Sequence, residues 1–208
     1  MALFGFSANP PTGDGGHVGI VKWLLRTPLD ELGGRIVDEV WVLPVFVHRY
    51  AEKRDMPAYH HRRQMAELAF RNLDRVRVDE AERRVAERGV ESPGTIDVLR
   101  HLEAEHPACR FVLVLGQDAD RDLREGKWKA SETLRDEATI VCVRRPGEGD
   151  AEAGGYEVPG LAPVSSTAVR QTREPAVLRN AVPSSVADYI VQHGLYGFGK
   201  AQAPTQTR

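Results

Sequence analysis

Phe111–Leu115 reads Phe-Val-Leu-Val-Leu, five apolar residues with no polar interruption. A strand wetted on one face alternates apolar with polar. An unbroken apolar run belongs to a strand covered on both faces, as in parallel sheets. Further strands are read at Met1–Phe6, Ile36–Pro44 and Thr139–Val143, with a brief one at Val76–Asp79. Helical patterns lie between them. Val18, Ile20, Val21, Trp23, Leu24 and Leu25 predict a well-buried helix. Met65, Leu68 and Ala69 place another over Tyr59–Phe70, and Ile96, Leu99 and Leu102 one over Thr95–Glu105. A short helix around Leu134 and helices over Ser165–Gln171 and Ser184–His193 complete the set. Parallel strands need a crossover connection, so this alternation predicts an α/β fold: a single doubly wound, Rossmann-like parallel sheet with helices on both faces. Such sheets bind ligands outside the carboxyl ends of their strands, where the strand order switches direction. The loops after Phe6, after Leu115 and before Ser165 are expected at that edge.

The chain has 208 residues, which suits one domain, expected over residues 1–198 with a disordered tail at 199–208. Residues 146–155, rich in Gly, Glu, Asp and Ala, read as a mobile surface loop. A net charge of −2 supplies no global field for nucleic acid. A local basic group, Arg49, Lys53, Arg54, Arg62 and Arg63, reads either as a solvated face or as a funnel for a small polyanion. Cys109 and Cys142 sit in or beside apolar runs, as buried reduced thiols do. No leader and no apolar run of about 18 residues is present, so a cytoplasmic protein without a membrane partner is expected. The sequence leaves open whether the chain forms a homo-oligomer.

Two segments carry the chemistry. Ser165-Ser166-Thr167-Ala168-Val169-Arg170 joins hydroxyls and a guanidinium at a loop that opens into a helix. Gly5-Phe6-Ser7-Ala8-Asn9-Pro10-Pro11-Thr12, followed by Gly16-His17, is a second such opening and places a histidine in the first helical turn. Helix starts of this kind aim backbone N–H groups at anions. Two of them, one bearing a histidine, point to phosphoryl or nucleotidyl transfer.

The ordered motifs resemble those of bacterial-type nicotinate (nicotinamide) mononucleotide adenylyltransferases, members of the nucleotidyltransferase superfamily. The likeness spans nearly all of residues 1–197. It includes the first-strand loop, Val42-Leu43-Pro44, Arg62 with Met65, Thr95-Ile96-Asp97, Gly116-Gln117-Asp118 with Trp128 downstream, and Arg144-Arg145-Pro146-Gly147. The SSTxxR signature at 165–170 and the closing Val182-Pro183, Tyr189-Ile190 and Gly194-Leu195-Tyr196 complete it. One departure concerns the family's (H/T)xGH motif. Here Thr12 is separated from Gly16-His17 by Gly13-Asp14-Gly15, two residues more than the pattern allows. The first position falls to Thr12 or to Asp14. Thr12 is preferred, because a carboxylate facing a triphosphate repels it unless a metal intervenes.

The resemblance implies transfer of the adenylyl group of ATP, with Mg²⁺, to nicotinate mononucleotide, giving nicotinate adenine dinucleotide and pyrophosphate without a covalent enzyme intermediate. It further implies site roles. His17 is the catalytic residue, donating a hydrogen bond to phosphate oxygens. Phe6, Ser7, Thr12, Gly16, Gly116, Asp118, Ser166, Thr167 and Arg170 bind ATP and its phosphates. Ser166 and Thr167 are expected to cap their helix. Thr95 and Trp128 hold the pyridine mononucleotide, with Lys53, Arg49 or His48 on its phosphate. No protein metal site is expected. Nicotinamide mononucleotide or a phosphopantetheine as acceptor, and a nucleotide-binding protein without catalysis, are the alternatives.

Overall fold

The computed structural model describes residues 1–47, 56–147, 155–162 and 164–199. Six strands form one parallel sheet: β1 (Ala2–Phe6), β2 (Val40–Pro44), β3 (Val76–Val78), β4 (Val112–Gly116), β5 (Thr139–Arg144) and β6 (Tyr156–Glu157). Their spatial order is β3-β2-β1-β4-β5-β6, and every pairing is parallel. The chain therefore winds outward from β1 to one edge, returns to β4, and winds outward to the other. The switch point lies between β1 and β4. This is the doubly wound fold expected.

The helices are α1 (His17–Leu24), α2 (Tyr59–Phe70), α3 (Ala81–Glu87), α4 (Thr95–Glu105), α5 (Gln117–Arg124), α6 (Ser131–Glu137), α7 (Ser166–Gln171), α8 (Pro175–Ala181) and α9 (Ser184–Gln192). Alternate strand residues feed opposite faces. Phe4, Val42, Val114 and Val141 pack with Val21 and Leu24 of α1 and Phe70 of α2. Leu3, Leu43, Leu113 and Leu115 pack with Ile96, Leu99 and Leu102 of α4 and Leu123 of α5. A third apolar group joins α7, α8 and α9 to Met65 of α2. Both faces are thus covered, as the Phe111–Leu115 run requires.

The differences from expectation are local. Residues 36–39 are not strand: Ile36 is exposed, and β2 begins at Val40. α3, α5 and α8 each bury only two residues, too few to display helical periodicity. α5 reads Gln-Asp-Ala-Asp-Arg-Asp-Leu-Arg and buries only Asp120 and Leu123. Cys142 is buried, Cys109 is partly so, and both are free thiols. The stretch expected to be a mobile loop falls largely, and the tail beyond Gly199 wholly, outside the described residues. No helix among the described residues is long and apolar enough to cross a membrane.

Candidate active site

A cleft of about 340 Å³ opens at the switch point. Thr12, Gly16 and His17 enter it from the loop after β1. Gly116, Gln117, Asp118 and Ala119 enter from the β4–α5 junction. Arg144 and Arg145 come from the end of β5, and Val164, Ser165 and Ser166 from the approach to α7. The loops predicted to share this edge do so.

His17 begins α1, with its ring over Phe6 (centroids 4.9 Å apart). The Thr12 backbone N–H donates to Nδ1 at 3.0 Å, and Thr12 Oγ1 lies 2.6 Å from the same nitrogen. Thr12 Oγ1 also accepts from the His17 backbone N–H at 3.0 Å. Burial, with Arg145 adding to it, lowers the His17 pKa to about 4, so the imidazole is neutral at pH 7. Asp14 stands apart: its side chain is 74% exposed, and it accepts from Lys22 Nζ at 2.7 Å. Of the two residues that vie for the first motif position, Thr12 is the one in contact with His17.

The extra residues are folded into the structure. Gly13 N–H donates to Ala181 O at 2.9 Å, and Ala162 N–H donates to Gly15 O at 3.0 Å. Two glycines make room for this path. A Cβ at Gly16 would lie 2.1 Å from Thr12 Oγ1, and one at Gly19 would lie 1.9 Å from the Asp14 carbonyl oxygen.

The second motif reaches the same loop from the opposite end of the chain. Ser166 Oγ donates to Pro10 O at 2.8 Å, and Arg170 donates to Asn9 O at 2.8 Å and to Thr167 Oγ1 at 3.0 Å. Tyr196 adds a hydrogen bond from its hydroxyl to Asn9 Oδ1 at 2.9 Å. The cap of α7 is neither Ser166 nor Thr167. Ser165 holds that place, its Oγ accepting from Ala168 N–H at 3.0 Å. Neither Thr167 nor Arg170 lines the cleft; Arg170 braces the first loop beside it, and Thr167 Oγ1 accepts from Arg170. Phe6 underlies His17, and Ser7 offers its carbonyl to Arg62 at 3.0 Å.

At the β4 end, a Cβ on Gly116 would meet no protein atom within 4 Å, so the backbone there is open to the cleft. The Asp118 carboxylate is exposed and pairs with Arg121. Arg144 and Arg145 line this cleft, and the sequence reading did not assign them to it. Their signal was two adjacent cations closing an apolar strand at the ligand-binding edge. Arg145 donates to Val164 O at 3.2 Å, and Arg144 pairs with Glu157 at 3.4 Å.

Thr95 and Trp128 do not line the main cleft. They lie near each other on the α4 side of the sheet, where Lys129 bridges to Asp97 at 2.7 Å and Trp128 packs against the Leu115–Leu123 core. Arg49, Lys53 and His48 lie outside the described residues. Arg62 is no part of a solvated basic face: it is 3% exposed, and its guanidinium donates to the carbonyls of Pro57, Ser7, Val45 and Phe46. Arg63 pairs with Glu67 and Glu80. Among the described residues no group of three or more His, Cys, Asp or Glu side chains is placed to hold a metal ion.

The cytidylyltransferase-like family profile matches residues 16–172. A protein of Anaeromyxobacter dehalogenans named "Probable nicotinate-nucleotide adenylyltransferase" is 33% identical over 197 residues, covering 94% of this chain and 96% of the relative. One of Myxococcus xanthus, of the same name, is 30% identical, over 95% and 94% respectively. Among solved structures, the Plasmodium falciparum nicotinic acid mononucleotide adenylyltransferase complexed with NaAD shares the fold, with a TM-score of 0.73 at 18% identity and coverage of 95% and 97%. The same enzyme complexed with APC aligns at a TM-score of 0.72 and 19% identity, covering 95% and 96%. A cleft at the β1–β4 switch point, a histidine at the start of α1, an SSTxxR segment bonded to the first loop, and this length and level of identity lead to one assignment: the chain belongs to the cytidylyltransferase-like family, among its nicotinate-nucleotide adenylyltransferases.

Proposed function

We infer that the protein joins ATP and nicotinate mononucleotide, releasing pyrophosphate and forming nicotinate adenine dinucleotide. The observation that carries this reading is His17, held neutral in a cleft that the SSTxxR segment closes from the far end of the chain. An oxygen of the mononucleotide phosphate forms a bond to the α-phosphorus of ATP. The bond from that phosphorus to the β-bridging oxygen breaks, and pyrophosphate leaves with the electron pair. No covalent bond to protein is required, so the catalytic task is positioning and charge stabilisation.

His17 donates from Nε2–H to phosphate oxygens as charge builds on them. Arg145 and the neighbouring Arg144 supply fixed positive charge on the same wall. Ser165 and Ser166 bring the start of α7 to the cleft, a suitable seat for phosphate oxygens. Gly116 allows close approach of the nucleotide, and Asp118 either accepts from a ribose hydroxyl or partners the metal. Thr95 and Trp128 form the pyridine side, with a cation of the 48–53 segment on the mononucleotide phosphate. A magnesium ion would be held here through substrate phosphates and one or two carboxylates. The single acidic side chain among the described cleft-lining residues, Asp118, fits that mode, and the ion would neutralise triphosphate charge. A cytoplasmic location suits these substrates.

The test is pyrophosphate release by wild type and His17→Ala with Mg²⁺-ATP and each pyridine mononucleotide. Turnover with the nicotinate form, reduced roughly 10²-fold or more in the variant, is expected for removal of a transition-state donor. Absence of pyrophosphate with both acceptors would overturn the assignment.

A further inference from the structure

We propose that Thr12 is a positioning residue that fixes His17 as its Nε2–H tautomer, so that the imidazole meets the nucleotide as a neutral hydrogen-bond donor. This deepens, and rests on, the adenylyltransferase reading above. A backbone N–H can only donate, and that of Thr12 points at His17 Nδ1 from 3.0 Å. Nδ1 must therefore present its lone pair, which leaves the proton on Nε2. The hydroxyl reinforces the choice. Its oxygen already accepts from the His17 backbone N–H, so its own hydrogen is free to turn to Nδ1, 2.6 Å away. Protonation of Nδ1 would set an N–H against the N–H of Thr12, two donors facing each other. Arg145, the charged residue whose field reaches the ring, opposes the imidazolium as well. Phe4 and Phe6, beneath the ring, offer no acceptor.

Thr12 is 1% exposed, so water is in no position to replace its hydroxyl. The same residue caps the start of α1. Its Oγ1 and its carbonyl take the N–H groups of His17 and Val18, at 3.0 and 3.2 Å, although Gly16 is the adjacent residue and offers no side chain. The cap is thus supplied from five residues upstream, across the Gly13–Gly15 loop. A Cβ at Gly16 would occupy the place of the Thr12 hydroxyl, so the histidine, its orienting residue and the glycine form one unit. In the transfer step the Nε2 proton remains on nitrogen throughout, and His17 ends the cycle in the protonation state in which it began.

The experiment compares wild type, Thr12→Val and Thr12→Ser by steady-state kinetics and by ¹⁵N NMR of the His17 ring. Thr12→Val keeps the buried volume and removes the hydroxyl. Loss of one buried orienting hydrogen bond predicts a fall in kcat of roughly 10- to 100-fold, with a much smaller change in KM for ATP. Thr12→Ser restores most of the activity. The wild-type ring is expected to show a protonated Nε2 and an unprotonated Nδ1 from pH 5 to 8, and in Thr12→Val the Nδ1-protonated tautomer gains population while burial and Arg145 keep the ring neutral. A residue that merely caps α1 would change the melting temperature and leave tautomer and kcat alone. A wild-type ring protonated at Nδ1 at pH 7, or a Thr12→Val enzyme with wild-type kcat, overturns the proposal. The wild-type spectrum decides the matter even if Thr12→Val does not fold. Failure of the wild type to release pyrophosphate would instead refute the activity and leave the tautomer to be judged by its spectrum.

Discussion

Replacing Arg62 by Met should cost more stability than any single change on the outer face of α2. Met retains an unbranched apolar stem and deletes the guanidinium. In the native protein that group donates from Nε to Pro57 O at 3.1 Å, and from its terminal nitrogens to Ser7 O at 3.0 Å, Val45 O at 2.5 Å and Phe46 O at 3.2 Å. It ties the loops after β1 and β2 to the start of α2. Two effects oppose each other. Removing the side chain relieves the cost of burying a cation, a cost visible in its lowered pKa. It also strands up to four carbonyls, each worth about 1–3 kcal/mol when water is excluded. These carbonyls belong to partly exposed residues, so water satisfies some of them. A net loss of about 3 kcal/mol follows, which for a chain of this size lowers Tm by about 6–12 °C. Arg63→Met is the control. Its bonds to Glu67 and Glu80 are half-exposed ion pairs, worth about 0–1 kcal/mol. Scanning calorimetry of both variants at pH 7 measures the difference. Equal melting temperatures for Arg62→Met and Arg63→Met would refute the reasoning, because the carbonyls would then have found other partners at no cost.

Gly19→Ala should lower both stability and kcat, despite the gain in helix propensity of about 1 kcal/mol, because the new Cβ meets the Asp14 carbonyl. Deleting two of the residues 13–15 in the same chain should make that alanine tolerable, and thermal melts of the single and combined variants check this. Glu82→Gln tests a buried acid. Burial raises the Glu82 carboxyl to about 7, and its Oε1 accepts from Val47 N–H at 3.3 Å. A carboxyl whose folded pKa is raised stabilises fully below its unfolded pKa and loses that contribution as pH climbs through the folded value. Urea titrations should therefore find Glu82→Gln more stable than wild type by about 2 kcal/mol at pH 8, allowing for partial solvation, and no more stable at pH 4.

The sequence alone determined the class of fold and the edge that carries the site. Buried parallel strands must be apolar on both faces, so Phe111–Leu115 announced itself, and the alternation of strands with helices left a doubly wound sheet as the solution. His17 and the 165–170 segment were legible for a related reason: particular residue types at close spacing mark both, and the fold brings His17, Ser165 and Ser166 to one cleft. Short elements were not legible. α3, α5 and α8 bury two residues each, and β6 has two residues, so no period could declare them. Tertiary structure alone decided who touches whom. Arg62 reads as one of five surface cations until the carbonyls of residues 7, 45, 46 and 57 converge on it. Ser165 rather than Ser166 caps α7, because Ser166 is drawn to Pro10. Spacing alone puts Asp14 at the first motif position and Thr12 two residues outside it, and the fold reverses that order by turning Thr12 inward to His17 and Asp14 out to Lys22. Residue type and spacing act along the chain and can be read there. A hydrogen bond such as that from Arg170 to Asn9, spanning 161 residues, depends on directions that only the packed sheet and its helices impose.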